Sequence, residues 1–463
     1  MDERRLRLLL AAASISLFVV QLDYFVVNLA LPRMASDFDV STSDLQWVIS
    51  GNMLAVASLL IFGGRVGDIF GRRLALLIGL GGFAAAALVC GLAPDAGVVI
   101  GFRIVQGAAS ALIFPVVISV LSNAFPEEHR GKAIGFAYGI AAVGSALGPL
   151  IGGGLTEALS WRWVFFALVL LADVAFVLVL TSVSESRDET VPRHLDVPGV
   201  VTVSLGVAAV TFAVDRAQTW GWIAGKTLAV FGAGVGLLLV FGAIERRARW
   251  PLVELSLFRN RPFDLVVAGC TVANVAFAVM VYSATIYLQE VRGLSPIVAG
   301  VVFLAPALGA ALGGPLAPRL GARMPPRLVS AAANGVGGLG VLGLALLGDN
   351  SWVLYLSMFA VAGVGLGVGW AFASVGTQAV VRKERAGEAS GVTLTLVVGV
   401  AGLAVASAAS ALRELGQHGT SLGDAITWVL VVVAGLALLS AAVLPALGSR
   451  RKRPLPGIET DVA

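Results

Sequence analysis

Apolar residues run along this chain in long unbroken blocks, not in the alternating or three-to-four patterns of half-buried elements. Blocks of about 18 or more residues recur from end to end, and each is long enough to cross a bilayer as one helix. In hydrocarbon, backbone groups must bond within the segment, so glycine-rich apolar blocks read as helices. Charge, proline or glycine bounds fourteen such spans: 8–31, 45–63, 74–93, 97–122, 133–157, 163–182, 198–215, 226–244, 264–288, 297–317, 327–347, 352–376, 389–411 and 425–446. The seventh is short and bracketed by Asp196 and Asp215. The block after the basic stretch Met1–Arg7 runs to Leu31. That exceeds the ~7–15 residues of a cleaved signal core, so it reads as a retained first helix.

Composition agrees with an all-α integral membrane protein. Of 463 residues, 58% are hydrophobic and 13% charged, about half the ~25% charge of soluble domains. With the N-terminus inside, 25 of the 32 lysines and arginines fall in cytoplasmic segments, six in outer loops, and Arg103 within a span. This bias follows the positive-inside rule. It implies a multi-pass protein of a bacterial inner (plasma) membrane, with both termini cytoplasmic. The dominance of arginine over lysine and the Ala, Gly and Val usage point to a GC-rich bacterium. No basic patch is interleaved with aromatics, so nucleic acid is not an expected partner. Cys90 and Cys270 lie inside apolar spans and have neither disulfide nor metal-ligand spacing; packing is their expected role. No His/Cys cluster, G-x-S-x-G elbow or phosphate loop points to an enzyme, and no metal or cofactor is expected.

The chain repeats itself. Gly63, Gly64, Gly71 and Arg73 recur as Gly313, Gly314, Gly321 and Arg323 at a constant offset of 250. Spans 1–6 and 9–14 therefore read as two copies of a six-helix unit, with spans 7 and 8 inserted. The expected organisation is a first bundle at 1–182, the inserted pair and a connector at 183–260, a second bundle at 261–447, and a cytoplasmic tail at 448–463. Two parallel six-helix halves with substrate bound between them at midplane is a recurring transporter plan.

Several polar residues stand out against this background. Between spans 2 and 3, Gly64, Gly67 and Gly71 permit a tight turn. Asp68 there can cap span 3 or pair with Arg72. With Arg73, this segment is either a charged turn or a latch that breaks when the halves rock. In span 4, Arg103, Gln106, Gly107 and Ser110 fall at i, i+3, i+4 and i+7 on one face. A charge within the membrane is costly and usually faces a cavity or a partner. Arg103 either takes that role or snorkels to the outer interface from a depth of ~9 Å. Asp23 lies ~12 Å from the outer end of span 1, at similar depth. It is either a carboxylate alternately paired with Arg103 and protonated, or half of a static ion pair. Ser14, Gln21 and Asn28 form a separate stripe at spacing seven, and only one of the two faces can look straight into the cavity.

In span 5, Gly144, Gly148 and Gly152 recur every four residues, which lets a neighbouring backbone approach, and Pro149 bends the helix. Asp173 sits near the middle of span 6, a costly position. It is either a second protonation site or a neutral acid bonded to span 7 or 8. Trp370, Phe372, Ser374 and Gln378 near span 12, and Asn274, Tyr282 and Gln289 near span 9, can line a cavity for amphipathic molecules or serve as packing and interface aromatics. The segment Glu245–Phe263 mixes basic and apolar residues, so it lies at the membrane surface or forms a solvated loop.

The motifs carry a resemblance. GRVGDIFGRR resembles the loop signature of the major facilitator superfamily, and Arg103 in RIVQG resembles that family's helix-4 motif, whose arginine is implicated in proton coupling. LDYFVVNLALP is similar to the helix-1 motif of the fourteen-helix drug:proton antiporters, with Phe25 where threonine is usual. Gly135, Gly144, Gly148, Pro149, Gly152 and Gly153 match the exporter motif G-x8-G-x3-G-P-x2-G-G. Trp161–Phe166 matches a family pattern at the start of span 6, without the Asn-Val-Pro run that usually follows. The resemblance implies the major facilitator fold, two six-helix bundles plus two inserted helices. It also implies alternating access by a monomer and export of hydrophobic or cationic drugs or antibiotics in exchange for protons. A narrow exporter of one natural product is the alternative, and a proton-coupled importer is less favoured. Asp23, Arg103 and Asp173 are then the coupling candidates. Gln21, Asn28, Gln106, Ser110, Asn274, Tyr282, Trp370 and Gln378 are the cavity candidates. Gly64, Asp68, Gly71, Arg72 and Arg73 are the latch.

Overall fold

The computed structural model describes residues 3–27, 30–40, 45, 47–187, 196–249, 251–253, 255–347, 351–381 and 386–447. Among them, fourteen helices are long and apolar enough to cross a membrane. They are α1 Glu3–Val26, α2 Trp47–Phe70, α3 Arg72–Leu92, α4 Ala96–Ala124, α5 Glu127–Ala158, α6 Arg162–Ser182, α7 Val197–Ala217 and α8 Gly225–Glu245. Then follow α9 Arg261–Val291, α10 Ile297–Gly321, α11 Pro326–Leu347, α12 Trp352–Val380, α13 Ala389–Gln417 and α14 Leu422–Leu447. Each expected span has one helix. The expected tail at 448–463, Asn28, and the basic residues Arg193, Arg382, Lys383 and Arg385 lie outside the described residues.

The pairing of helices repeats. In the first six, α1 packs on α5 and α6, α2 on α4, and α3 on α4 and α6. In the last six, α9 packs on α13 and α14, α10 on α12, and α11 on α12 and α14. The repeated glycines occupy matching seats: a Cβ on Gly63 would lie 2.1 Å from the Ala111 carbonyl oxygen of α4, and one on Gly313 would lie 2.6 Å from the Val368 nitrogen of α12. The two sixes meet where α5 packs on α10 and α12, and where α13 packs on α2 and α4. Helix α7 lies on α2 and α13, and α8 packs on α7. Among the described residues, most of the arginines lie at the same ends of the helices as the Gly71 turn.

Two departures from the sequence expectation bear on the site. Helix α1 ends at Val26, not Leu31, and a separate short helix, Leu31–Phe38, follows with proline in its first turn. Pro32 has a fixed φ and no N–H, which suits a helix start rather than an interior. Asp23 is therefore ~4.5 Å from the end of α1, not ~12 Å. The short helix is pinned down: Trp161 Nε1 donates to Asp37 Oδ2 at 2.8 Å, and Phe38 packs edge-on against Trp161 at 5.3 Å.

The second difference is in the glycine-rich segment, which is not a loop. Helix α2 continues through Asp68 to Phe70, and the turn is Gly71 alone, at φ 121°. Gly67 serves close packing, since a Cβ there would lie 2.7 Å from Val116 Cγ2. Beyond Gly71 the backbone N–H groups of Arg73 and Leu74 donate to the Glu185 carboxylate at 3.0 and 3.1 Å. A carboxylate at a helix N-terminus satisfies orphan donors and complements the dipole. Gly71→Ala combines a left-handed backbone with a Cβ 2.6 Å from Glu185 Oε1, and backbone strain of this kind costs ~1–3 kcal/mol. The purified variant is expected to unfold at lower temperature; an unchanged transition would refute the strain argument.

The connector after α8 is not a freely solvated loop. Leu252, Val253, Leu257 and Phe263 are buried against Ile61 of α2, Val267 of α9 and Ala389 and Val392 of α13. Buried Glu245 accepts from the Leu252 and Val253 N–H groups at 3.3 and 3.2 Å, and Arg65 donates to the Pro251 carbonyl at 3.2 Å. Four apolar residues of the segment thus have a protein seat, and its backbone is held by Glu245 and Arg65.

Candidate functional site

Three helices bring one ionic cluster together. Asp23 of α1 and Arg103 of α4 meet at 2.5 Å, with side chains 0% and 2% exposed. Arg103 Nη1 also donates to Gln106 Oε1 at 2.9 Å, and its Nε to the Val48 carbonyl of α2 at 2.9 Å. Gln106 Nε2 donates to Asp23 Oδ1 at 3.3 Å. The second carboxylate oxygen, Asp23 Oδ2, is buried without a hydrogen-bond partner. Arg103 therefore points inward and does not snorkel. The pairing of Asp23 and Arg103 expected from the sequence is present.

Sequence reasoning missed Asn52. It is fully buried on α2, and its Nδ2 donates to the Arg103 carbonyl at 3.1 Å, while its Oδ1 has no partner. A Cβ on Gly107 would lie 2.3 Å from the Asn52 carbonyl oxygen, so the two helices touch backbone to backbone beside the ion pair. The available signal was a lone amide in an otherwise apolar span. Ser110, also fully buried, donates to the Gln106 carbonyl at 3.0 Å. Gln21 stands on a different face of α1 and donates to Ser145 of α5 at 3.1 Å. The face bearing Asp23 thus meets α4, and the Gln21 face meets α5.

The glycines of α5 divide by neighbour. Gly144, Gly148 and Gly152 face α1: added Cβ atoms would lie 2.6 Å from the Phe18 oxygen, 2.5 Å from Phe25 Cβ and 2.0 Å from the Val26 oxygen. Phe25 therefore rests on the space that Gly148 leaves. Gly135 faces α10, where a Cβ would lie 2.4 Å from the Gly314 oxygen. Pro149 lies within one continuous helix, and Gly153 is buried beside it.

Nearer the arginine-rich face, polar side chains join the two sixes. Tyr138 Oη and Ser374 Oγ are 2.6 Å apart, and Ser122 Oγ donates to Gln378 Oε1 at 3.2 Å. Gln378 Nε2 donates to Ser390 Oγ at 3.1 Å. Trp370 packs edge-on against Phe114 and Tyr138, at 6.4 and 5.8 Å, and its Nε1 is buried without a partner. Among the cavity candidates, Gln106, Ser110, Trp370 and Gln378 thus lie between helices or between the sixes. Asn274 donates to the Val397 carbonyl of α13 at 3.0 Å, within the last six, and Tyr282 is half-buried on α9.

The latch residues tie the α2–α3 turn to itself and to the end of α6. Arg72 Nη2 and Nε reach Asp68 Oδ1 at 2.8 and 3.2 Å, in a pair with both side chains 2% exposed. Arg72 N–H donates to the Ser186 carbonyl at 2.8 Å, and Arg73 Nη2 to the Leu180 carbonyl at 2.9 Å. Gly64 is buried within α2. Asp173 departs furthest from expectation. It is exposed on α6 beside α3, and does not reach α7 or α8. The reason is the placement of the inserted pair, which lies on α2 and α13, away from α6.

The Major Facilitator Superfamily profile matches residues 13–406. Two Streptomyces proteins are similar. The tetracenomycin C resistance and export protein of Streptomyces glaucescens is 32% identical over 430 residues, 91% of this chain and 75% of that one. The puromycin resistance protein pur8 of Streptomyces alboniger is 33% identical over 464 residues, 96% and 91%. The multidrug resistance protein Stp of Mycobacterium tuberculosis is 33% identical over 389 residues, 83% and 72%. Among solved structures, the human organic anion transporter MFSD10 superposes with a TM-score of 0.64 at 15% identity, covering 96% of this chain and 100% of that one. The repeated pairing, the fourteen helices and the profile agree, and the chain belongs to the Major Facilitator Superfamily of membrane transporters.

Proposed function

We propose that this protein exports hydrophobic or cationic drugs or antibiotics in exchange for protons, by alternating access between its two six-helix halves. The observation that carries the proton part is the Asp23–Arg103 pair, buried within the membrane with one carboxylate oxygen unpartnered. Protonation at that oxygen would release Arg103 from its counter-charge, and a buried pair that can be broken by one proton is a two-state element. The names of the relatives, which concern resistance and export, support the outward direction, as does the glycine face of α5. On this reading the arginine-rich face is cytoplasmic, and the Tyr138–Ser374 and Ser122–Gln378 bonds close the cytoplasmic side. The latch residues stiffen the α2–α3 turn on that side.

In vesicles, efflux of a cationic dye should require an imposed proton gradient and cease when an ionophore collapses it. Efflux that persists without the gradient would refute proton coupling. A panel of structurally unrelated drugs separates a broad exporter from a narrow one: resistance to one natural product alone would favour the self-resistance reading, to which the tetracenomycin C and puromycin names lend weight.

Tyr138→Phe removes a hydroxyl bond that spans the halves. Losing a neutral bond of ~1 kcal/mol shifts a two-state balance roughly fivefold. Cysteine accessibility from the cytoplasmic side should rise by about that factor, and unchanged accessibility would show that the bond does not hold that side closed.

A further inference from the structure

Asp173 is the polar residue that the transport reading leaves unused. It lies eleven residues into the 21-residue α6, close to the middle of the membrane. Its neighbours Leu170, Val174 and Val177 are 66%, 43% and 55% exposed, so it stands within the apolar belt that faces lipid. No hydrogen-bond or ion-pair partner for it occurs among the described residues. It opens onto a groove of about 250 Å³ between α3 and α6, walled by Gly81, Ala84, Ala85, Leu88, Val169 and Phe176. Small side chains on α3 create the space, and the Phe176 ring lies at the Gly81 end, 3.6 Å from where a Gly81 Cβ would be.

A carboxylate at this depth costs several kcal/mol against hydrocarbon unless something neutralises it. The groove supplies apolar walls, one aromatic ring and one negative charge, with no cationic side chain among its lining residues. The complementary guest carries one positive charge on an apolar body: the carboxylate takes the charge, the ring face adds a cation–π contact, and the alanines and leucine take the body. We propose that the α3–α6 groove is a membrane-facing binding site for amphiphilic monocations, anchored by Asp173 and reached from the lipid. The site is separate from the Asp23–Arg103 cluster and does not depend on proton coupling.

The test uses the full-length protein in lipid nanodiscs and a benzyl-trimethylammonium probe carrying a diazirine, with adducts mapped by mass spectrometry. Adducts are expected on residues 81–88 and 169–176. They should be displaced by excess tetraphenylphosphonium, fall at least tenfold in Asp173→Asn, and persist in Asp173→Glu and Asp23→Asn. Ala85→Leu, which fills the groove and keeps the charge, should also lose labelling. Equal labelling by an uncharged tert-butyl analogue would reduce the site to lipophilic partitioning and overturn the proposal. Labelling unchanged in Asp173→Asn would overturn it as well. So would crosslinking of two protein copies through α3 and α6 that excess cation does not relieve, since the groove would then be a self-association face. Loss of labelling in Asp23→Asn with retention in Asp173→Asn would place cation binding at the central cluster instead.

Discussion

Asp23→Asn is expected to abolish gradient-driven efflux while the protein remains folded in the membrane. Asparagine keeps the shape and an acceptor oxygen, so the Arg103 and Gln106 donors still have a partner. It removes the counter-charge and the protonatable oxygen. Leaving one member of a buried pair uncompensated costs ~3–5 kcal/mol, a factor of ~10²–10⁴ in the population of any state that keeps Arg103 where it is. Dye efflux should therefore fall on the order of 100-fold, to the level of a collapsed gradient, with unchanged elution on size exclusion. Asp23→Glu, which restores charge and proton, should recover part of the activity. Normal efflux by Asp23→Asn would remove the cluster from the mechanism.

The second large effect is expected at Gly152. An alanine there would place its Cβ 2.0 Å from the Val26 carbonyl oxygen, where ordinary contact begins at 3.4 Å. Helices α1 and α5 must then part by roughly 1.4 Å, and backbone cannot yield as a flexible side chain does. Val26 lies one turn from Asp23, so the same shift displaces Asp23 relative to Arg103 on α4. Misplacement of about 1 Å can cost on the order of 100-fold in a positioned site. Gly154→Ala is the internal control, because a Cβ at Gly154 meets nothing within 4 Å. Efflux should be lost in Gly152→Ala and retained in Gly154→Ala; equal behaviour of the two would mean that the α1–α5 contact does not set the site.

Much of this architecture was legible in the residues because the bilayer simplifies the problem. Hydrocarbon forces helices, so apolar length alone gave fourteen spans. The Asp23–Arg103 meeting followed from two charges within spans that had few alternatives, although the depth assigned to Asp23 assumed a longer α1. Boundaries set by local chemistry were less legible. Glycines 64 and 67 read as turn formers, yet both are helical and Gly67 makes room for α4, because packing and turning draw on the same missing side chain. One of the two readings of Asp173 bonded it to α7 or α8, but no sequence feature stated that the inserted pair lies against α2 and α13. Asn52 was overlooked because an amide in a span has no motif to announce it.

The one-residue elbow at Gly71 bears on how this chain reaches the membrane. Helices α2 and α3 are joined so tightly that they can leave the ribosome and enter the bilayer as a single hairpin. Asp68 and Arg72 are four residues apart across the elbow and bond to each other, so their charges can cancel before any distant helix has been made. Arg73 would keep one positive charge at the hairpin's tip until later helices are made, and Glu185, more than 100 residues further on, would arrive to cap a helix already in place.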